Sequence, residues 1–304
     1  MSVPFIKSLD FSYGAVAELS PLVRRVVARN PSAFTFHGTG TYIVGRGRVA
    51  VIDPGPNDPA HIDALAHALR NETVTHILVT HTHRDHSPGT AELQRRTGAP
   101  SFAFGPHPLP KGGPAVEEGG DHDFRPDETM TDGDALAGDG WTLTALHTPG
   151  HISNHLCFAL AEEQALFTGD HVMGWSTTVI SPPDGSMTDY YASLRKLLPR
   201  DERRYYPTHG APIDHETIAH SPQDFVRALI RHREGREHQI MDCLKSGPQT
   251  IPQMVRTMYA DVPSYLHFAA ARSMLAHLIH MVGDGRVRVE SGDAADEGAM
   301  YRLG

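Results

Sequence analysis

The sequence is poor in several things, and each shortage removes a class of protein. Only two cysteines occur in 304 residues. Cys157 falls in a strand-like run (HLCFAL) and Cys243 in a helix-like one, so both read as buried thiols rather than as a disulfide or a ligand pair. No apolar run approaches the roughly 20 residues needed to span a bilayer, and the opening MSVPFIKSLDFSYG lacks the basic and apolar regions of a signal peptide. A cytoplasmic protein with no membrane contact is the expectation. Basic charge is scarce as well: residues 1–221 carry 17 Lys and Arg against 26 Asp and Glu, residues 222–304 carry 10 against 10, and the net charge is -9. That balance argues against strong nonspecific nucleic-acid binding, while leaving a local basic groove open.

Histidine, by contrast, is abundant, with 21 residues. Four potential ligands crowd into Thr80-His81-Thr82-His83-Arg84-Asp85-His86. Upstream, residues 73–80 (TVTHILVT) form a β-branched apolar run that reads as a strand. Downstream, Ser87 and Pro88 read as the N-cap and first residue of a helix running to about Thr97, with Gly98 as its stop. The cluster therefore sits between a strand's C-terminal end and a helix start, where open α/β sheets place their chemistry. Imidazole suits zinc and iron, and a carboxylate adds a harder ligand. His81 and His83 point the same way in an extended segment, whereas Asp85 and His86 follow once the chain turns. One cluster can thus serve two adjacent metals.

The rest of the chain supplies partners. Residues 33–37, 41–44 and 48–53 read as strands, with 45–47 as a hairpin turn. Asp53, at the last strand's tip, either hydrogen-bonds a metal-binding histidine from behind or only forms the turn. A helix over 59–70 turns Ile62, Leu65 and Leu69 inward and His61 and His67 to solvent. Residues 105–140, rich in Gly, Pro and Asp, read as a lid or binding loop carrying His107, Asp121, His122 and Asp123. A strand over 141–146 leads to His147-Thr148-Pro149-Gly150-His151, whose Pro-Gly turn projects His151 back. His155 either lines the pocket or is a satisfied polar residue at a strand start. Strands over 156–160 and 165–168 end at Asp170. A helix over 188–198 turns Tyr191, Leu194 and Leu198 inward, and a final strand reaches Thr208-His209-Gly210. His81, His83, Asp85, His86, His151, Asp170 and His209 stand at four strand ends. Seven is the number two adjacent metals need if each takes three ligands and one carboxylate bridges.

The ordered set THTHRDH, HTPGH, TGD and PTHG resembles the metallo-β-lactamase-fold hydrolases, with a glyoxalase II-like metal motif, over about residues 16–215. The resemblance implies an α/β fold, an αββα sandwich with a dinuclear site at one sheet edge. On matching positions His81, His83 and His151 would take the first ion, Asp85, His86 and His209 the second, and Asp170 would bridge. Two divalent ions are implied, zinc first, with iron or manganese as alternatives. Helices over 225–244, 250–259 and 264–282, followed by a hairpin of 287–290 with 300–303, make a small winged-helix domain. The stretch from RHREGREHQI through HLIHMVGDGRVRV is similar to the C-terminal domain of the β-lactamase-like protein 2 subfamily. Gly40, in GTGTY, stands where that subfamily is expected to carry Asn. The expected domains are 1–221, catalytic, and 222–304, winged helix.

Hydrolysis is the implied chemistry, by a metal-bridging hydroxide that Asp85 orients, with the second metal and His155 stabilising charge on the attacked oxygen. A small ester, thioester or lactone is the leading substrate. Single-stranded RNA, which that subfamily includes, is the alternative and needs a groove lined by groups such as Arg84, Arg125, Arg203 or Arg204. β-Lactam cleavage ranks third, for want of an export signal. A metal-sensing DNA-binding protein is the non-enzyme reading, weakened because the third C-terminal helix offers only Arg272 as an obvious cation. A monomer or a homodimer is expected.

Overall fold

A computed structural model of the chain describes residues 2–108, 119–260, 267–291 and 294–304. Seven strands form the first sheet in sequence order: β1 (Val16–Glu18), β2 (Val23–Val27), β3 (Gly40–Val44), β4 (Arg48–Ile52), β5 (Thr73–Leu78), β6 (Ser101–Ala103) and β7 (Glu128–Thr129). The second sheet contains β8 (Ala135–Gly138), β9 (Trp141–His147), β10 (Leu156–Leu160), β11 (Ala165–Gly169), β12 (Arg204–Pro207) and β13 (Ile213–Asp214), in the order β13-β12-β11-β10-β9-β8.

Alternation along the strands explains why the sheets stack. In β4, Ala50 and Ile52 join the core between the sheets, whereas Val49 and Val51 pack outward with Ile62 and Leu65 of α1 (Pro59–Ala68). In β10, Leu156, Phe158 and Leu160 face the first sheet, while Cys157 and Ala159 pack with Tyr190 and Leu194 of α3 (Met187–Leu197). Strands buried on both faces read as continuous apolar runs, and the period of two appears only in which core each residue joins. Helices α1 and α2 (Gly89–Thr97) cover one outer face, and α3 with the first half of α5 (Pro222–Leu244) covers the other. The result is an αββα sandwich. The short α4 (His215–Ile218) follows β13.

A third core belongs to the C-terminal part. Ile240 of α5, Met254 of α6 (Ile251–Met258), Leu278 of α7 (His267–Gly283) and Tyr301 of β16 (Met300–Leu303) share it. β16 lies between β14 (Gln249–Thr250) and β15 (Val287–Ser291), which completes a winged helix. Residues 264–266 of the expected third helix lie outside the described residues. Helix α5 is common to both units: Phe225, Val226 and Leu229 pack in the sandwich, Ile240 and Leu244 in the winged-helix core. The expected boundary after residue 221 coincides with its N-cap, Ser221. Among the described residues no helix is long and apolar enough to cross a membrane. Both cysteines are free, and burial pushes the Cys157 thiol up to about 12.

Several sequence expectations need correction. Residues 33–37 are turns rather than a strand, and β2 and β1 extend the sheet instead. The arginines of β2 (VRRVV) disguised it, yet both are buried: Arg24 pairs with Glu72 at 2.8 Å and Arg25 donates to the Gly210 carbonyl at 2.7 Å. His61 is not on the solvated face. Its Nε2 lies 2.8 Å from the buried Oγ1 of Thr41 in β3, and burial pushes its pKa down to about 4, while His67 is exposed. Of the 105–140 stretch, residues 109–118 lie outside the described residues, and the described part contributes β7 and β8. In α3 the inward positions include Tyr190 and Leu197, and Leu198 is only half-buried.

Candidate metal centre

β4 runs parallel to β5, β11 runs parallel to β12, and the C-terminal ends of all four meet at one edge of the sandwich. The seam between sheets is hydrogen-bonded there: Leu156 N–H donates to Thr80 O at 2.7 Å, and Thr208 Oγ1 donates to Asp53 Oδ2 at 3.0 Å. The His81–His86 turn leaves β5, Asp170 follows β11 and His209 lies just beyond β12. His151 arrives by a turn in which Gly150 has φ 142° and a Cβ would lie 2.5 Å from Tyr190 Cα. Only glycine permits that approach.

Three sets of side chains converge, each with ligand atoms within 4.8 Å of one another: His81, His83 and His151; His81, His86 and Asp170; Asp85, His86 and His209. His81 Nε2 lies 3.0 Å, and His151 Nε2 3.1 Å, from His83 Nδ1. Tetrahedral ligands on bonds of about 2.1 Å stand about 3.4 Å apart, so this triad approximates the spacing around one ion. His209 Nε2 and His86 Nε2 lie 3.1 and 3.2 Å from Asp85 Oδ2. Asp170 stands between the triads, with Oδ1 3.4 Å from His209 Nε2 and 3.7 Å from His86 Nε2, and Oδ2 3.9 Å from His151 Nε2.

Behind these atoms the outward ring nitrogens are held. His151 Nδ1 donates to Val179 O at 2.7 Å, His209 Nδ1 to Gly38 O at 3.1 Å and His86 Nδ1 to Asp53 Oδ2 at 2.9 Å. His81 Nδ1 lies 3.1 Å from Thr80 Oγ1, whose own proton goes to Asp53 Oδ2 at 2.8 Å. Each bond places the proton on the far nitrogen and turns a lone pair inward, as ligating imidazoles require. His86 Nε2 and Asp170 Oδ1 are buried without a hydrogen-bond partner.

The electrostatics agree. Burial, and then the neighbouring imidazoles, hold His81 and His83 well below the usual histidine range, so they stay neutral donors. Burial alone would raise Asp85 and lower His209. The imidazoles of His86 and His209 instead hold the Asp85 carboxyl far down, and Asp170 and Asp85 draw His209 up to about 10. Two buried carboxylates thus demand cationic charge beside them, which protons on His86 and His209 supply and which divalent ions would supply in their place. The donor set fits a pair of such ions.

Residues 35–209 match the Metallo-beta-lactamase superfamily. The chain belongs to that superfamily. Residues 250–295 match the Beta-lactamase associated winged helix domain. An atrochrysone carboxyl ACP thioesterase of Aspergillus terreus is 34% identical over 289 residues, covering 90% of this chain and 84% of that protein. The beta-lactamase-like protein 2 homolog of Caenorhabditis elegans is 32% identical over 281 residues, covering 90% and 88%. A Beta-lactamase domain protein from Burkholderia ambifaria shares the fold at TM-score 0.78 and 18% identity, covering 96% of this chain and 94% of that one. As a metallo-beta-lactamase superfamily member with its associated winged helix, the chain is a hydrolase.

Not every predicted residue reaches the centre of this superfamily site. His155 is fully buried, and its Nε2 accepts the Asp170 backbone N–H at 3.2 Å while Nδ1 donates to Thr148 Oγ1 at 2.9 Å. With both nitrogens engaged it holds the turn that carries Asp170 and offers nothing to a substrate oxygen. His107, Asp121 and His122 pack behind the His81–His86 turn: His107 Nδ1 lies 2.8 Å from Thr82 Oγ1, Ser87 Oγ donates to Asp121 Oδ2 at 2.7 Å, and the His107 and His122 rings are 4.5 Å apart. Of the residues proposed for an RNA groove, Arg84 and Arg125 donate to backbone carbonyls, and Arg204 pairs with Asp214 at 2.6 Å. Arg203 and Arg204 sit at the start of β12, about 16 Å of strand from His209. Arg272 is buried rather than displayed to DNA, and donates to the Pro182 carbonyl.

Further residues support the site from behind. Asp53, left open above, has φ 51° and receives the Thr80 N–H at 2.7 Å besides the Thr80, Thr208 and His86 bonds. Gly40 also has a physical reason: a Cβ there would lie 2.9 Å from Arg25 Cδ and 3.0 Å from Thr208 O. No side chain fits while Arg25 fills that space. A proline-and-glycine-rich loop gave no sign of Thr178 and Val179, which hold Asp170 and His151 from the other side.

Proposed function

We propose that the chain is a dinuclear metal-dependent hydrolase of a small thioester, with esters and lactones as the same carbonyl chemistry on another leaving group. The observation that carries this reading is Asp170, which turns one oxygen toward His86 and His209 and the other toward His151. From there Asp170 would offer one oxygen to each of two ions. His81, His83 and His151 would hold one ion and Asp85, His86 and His209 the other. Zinc suits the nitrogen-rich set, and iron or manganese accepts it too. When bound, such ions supply a water activated at neutral pH and positive charge for the attacked oxygen.

The chain's own groups do the positioning. Asp85, with Thr39 Oγ1 3.4 Å from its Oδ2, would accept a hydrogen bond from the attacking water and set its direction. Asp53, Thr80, Gly38 and Val179 lock the imidazoles in place. The thioester is preferred to the other leaving groups because of the relative named an ACP thioesterase. In this reading residues 1–221 are the catalytic unit and 222–304 the winged-helix part, joined by α5. Among the described residues Arg84 and Arg125 bond backbone carbonyls and Arg204 pairs with Asp214, which gives the RNA alternative no support.

Asp85→Asn tests the assignment. On an acyl-pantetheine thioester, with samples matched for metal content, kcat should fall by about 100-fold or more while KM stays within about three-fold. A near-normal kcat would remove Asp85 from the mechanism.

A further inference from the structure

Helix α5 carries a buried cation that the preceding account leaves unused. Arg233 is 4% exposed and has no ion-pair partner among the described residues. Its Nη2 donates to the backbone carbonyl of Thr178, and its guanidinium lies 5.6 Å from the Tyr190 ring centre. A helix that only packed against the sandwich would do as well with an apolar side chain here, because a buried guanidinium must be compensated. What Arg233 grips is informative. The Thr178 hydroxyl donates to Asp170 O at 2.7 Å and lies 3.1 Å from His171 O, and the next carbonyl, Val179 O, receives His151 Nδ1–H at 2.7 Å. Two consecutive residues therefore set the turn bearing Asp170 and the ring plane of His151, and Arg233 grips the first of them, Thr178, from outside.

Tyr190 forms a second route between the same groups. It lies under the guanidinium and against Gly150, whose turn delivers His151. One turn further along α5, Glu237 receives His277 Nδ1–H at 3.1 Å and pairs with Arg286 at 2.7 Å, so the same helix is anchored in the winged-helix part. A few residues beyond Thr178, Arg272 of α7 donates to the Pro182 carbonyl. The loop behind the metal centre is thus gripped by two of the C-terminal helices, α5 and α7.

We propose that Arg233 is a positioning residue for the metal centre: by clamping the Thr178 carbonyl it holds the Thr178–Val179 segment, and through that segment Asp170 and His151, so the C-terminal part of the chain sets the geometry of the site. This rests on the assignment of Asp170 and His151 as ligands. It predicts that metal affinity and ligand geometry respond to a residue that touches neither metal nor substrate.

The test uses the full chain, loaded with Co(II) as a spectroscopic probe and with Zn(II) for affinity by chelator competition. Arg233→Met should bind Zn(II) about 10-fold more weakly or worse, alter the visible Co(II) spectrum and lower kcat on a thioester with KM little changed. Arg233→Lys should recover part of each loss, and Arg227→Ala, on the exposed side of α5, should match wild type in all three. A wild-type Co(II) spectrum and Zn(II) affinity in Arg233→Met would overturn the proposal while leaving the ligand assignment intact. Should Arg233→Met fail to fold, Arg233→Lys decides, and wild-type behaviour in both readouts overturns the proposal. A wild-type chain that binds neither ion would overturn the ligand assignment and this proposal with it.

Discussion

Asp170→Ala is expected to give a folded chain that retains at most one divalent ion and hydrolyses a thioester at less than a hundredth of the wild-type rate. The expectation follows from its position. Among the described residues Asp170 is the one side chain whose two oxygens face the two histidine sets, at 3.4 Å from His209 Nε2 and 3.9 Å from His151 Nε2. Groups that merely orient a ligand are worth about 10–100-fold in affinity or activity, so loss of a shared ligand should exceed that range. The fold itself should survive, because Asp170 lies beyond the end of β11 and contributes nothing to the apolar cores. Metal analysis, turnover and a melting curve on one sample decide the matter. Two tightly held ions in Asp170→Ala would contradict the shared-ligand role. His81→Ala and His209→Ala should each lose one ion by the same reasoning, from opposite sides of Asp170.

Asp53→Ala should do more damage to stability than any single ligand substitution. Its carboxylate is fully buried and receives the Thr80 N–H, the Thr80 and Thr208 hydroxyls and His86 Nδ1–H. Alanine leaves all four donors without that acceptor, at about 1–3 kcal/mol for each that finds no substitute. It also places a Cβ residue without a compensating side chain at φ 51°, a conformation that disfavours L-residues by roughly 1–2 kcal/mol. Allowing for relaxation and entering water, a loss of about 3–5 kcal/mol is expected in urea unfolding, together with weaker metal binding on the His86 side. Asp53→Asn keeps the shape and one acceptor oxygen and should fall between. A loss below about 1 kcal/mol in Asp53→Ala would show that Thr80 and Thr208 do not depend on it.

The ligands were legible because they lie in local geometry. THTHRDH is set by a strand end and a helix start within a few residues, and HTPGH by a single turn, while the joining of these with Asp170 and His209 rested on their shared place at strand ends and on the resemblance of the ordered set to the metallo-β-lactamase-fold hydrolases. The supports were not legible, since they arise from contacts distant in sequence. Thr208 and Asp53 are separated by 155 positions, and Arg233 and Thr178 by 55. Hydrophobic periodicity also misled where polar side chains are buried and satisfied. Arg24 and Arg25 concealed β2 because a paired arginine in a strand resembles a surface residue until its partners Glu72 and Gly210 are seen. His61 was misplaced on the solvated face and His155 left open for the same reason, both being histidines buried against threonine hydroxyls. The winged helix was readable as helices and a hairpin, but not the way α5 runs through two cores, because a helix gives no sign in its own sequence of which neighbour each half meets.

The most direct test of the account is a titration of metal-free wild-type chain with Zn(II), following hydrolysis of an acyl-pantetheine thioester at each addition. Turnover should be absent without metal, rise with added zinc and level off at two ions per chain. Full turnover in the metal-free chain, a plateau at one ion, or no thioester hydrolysis with two ions bound would contradict it.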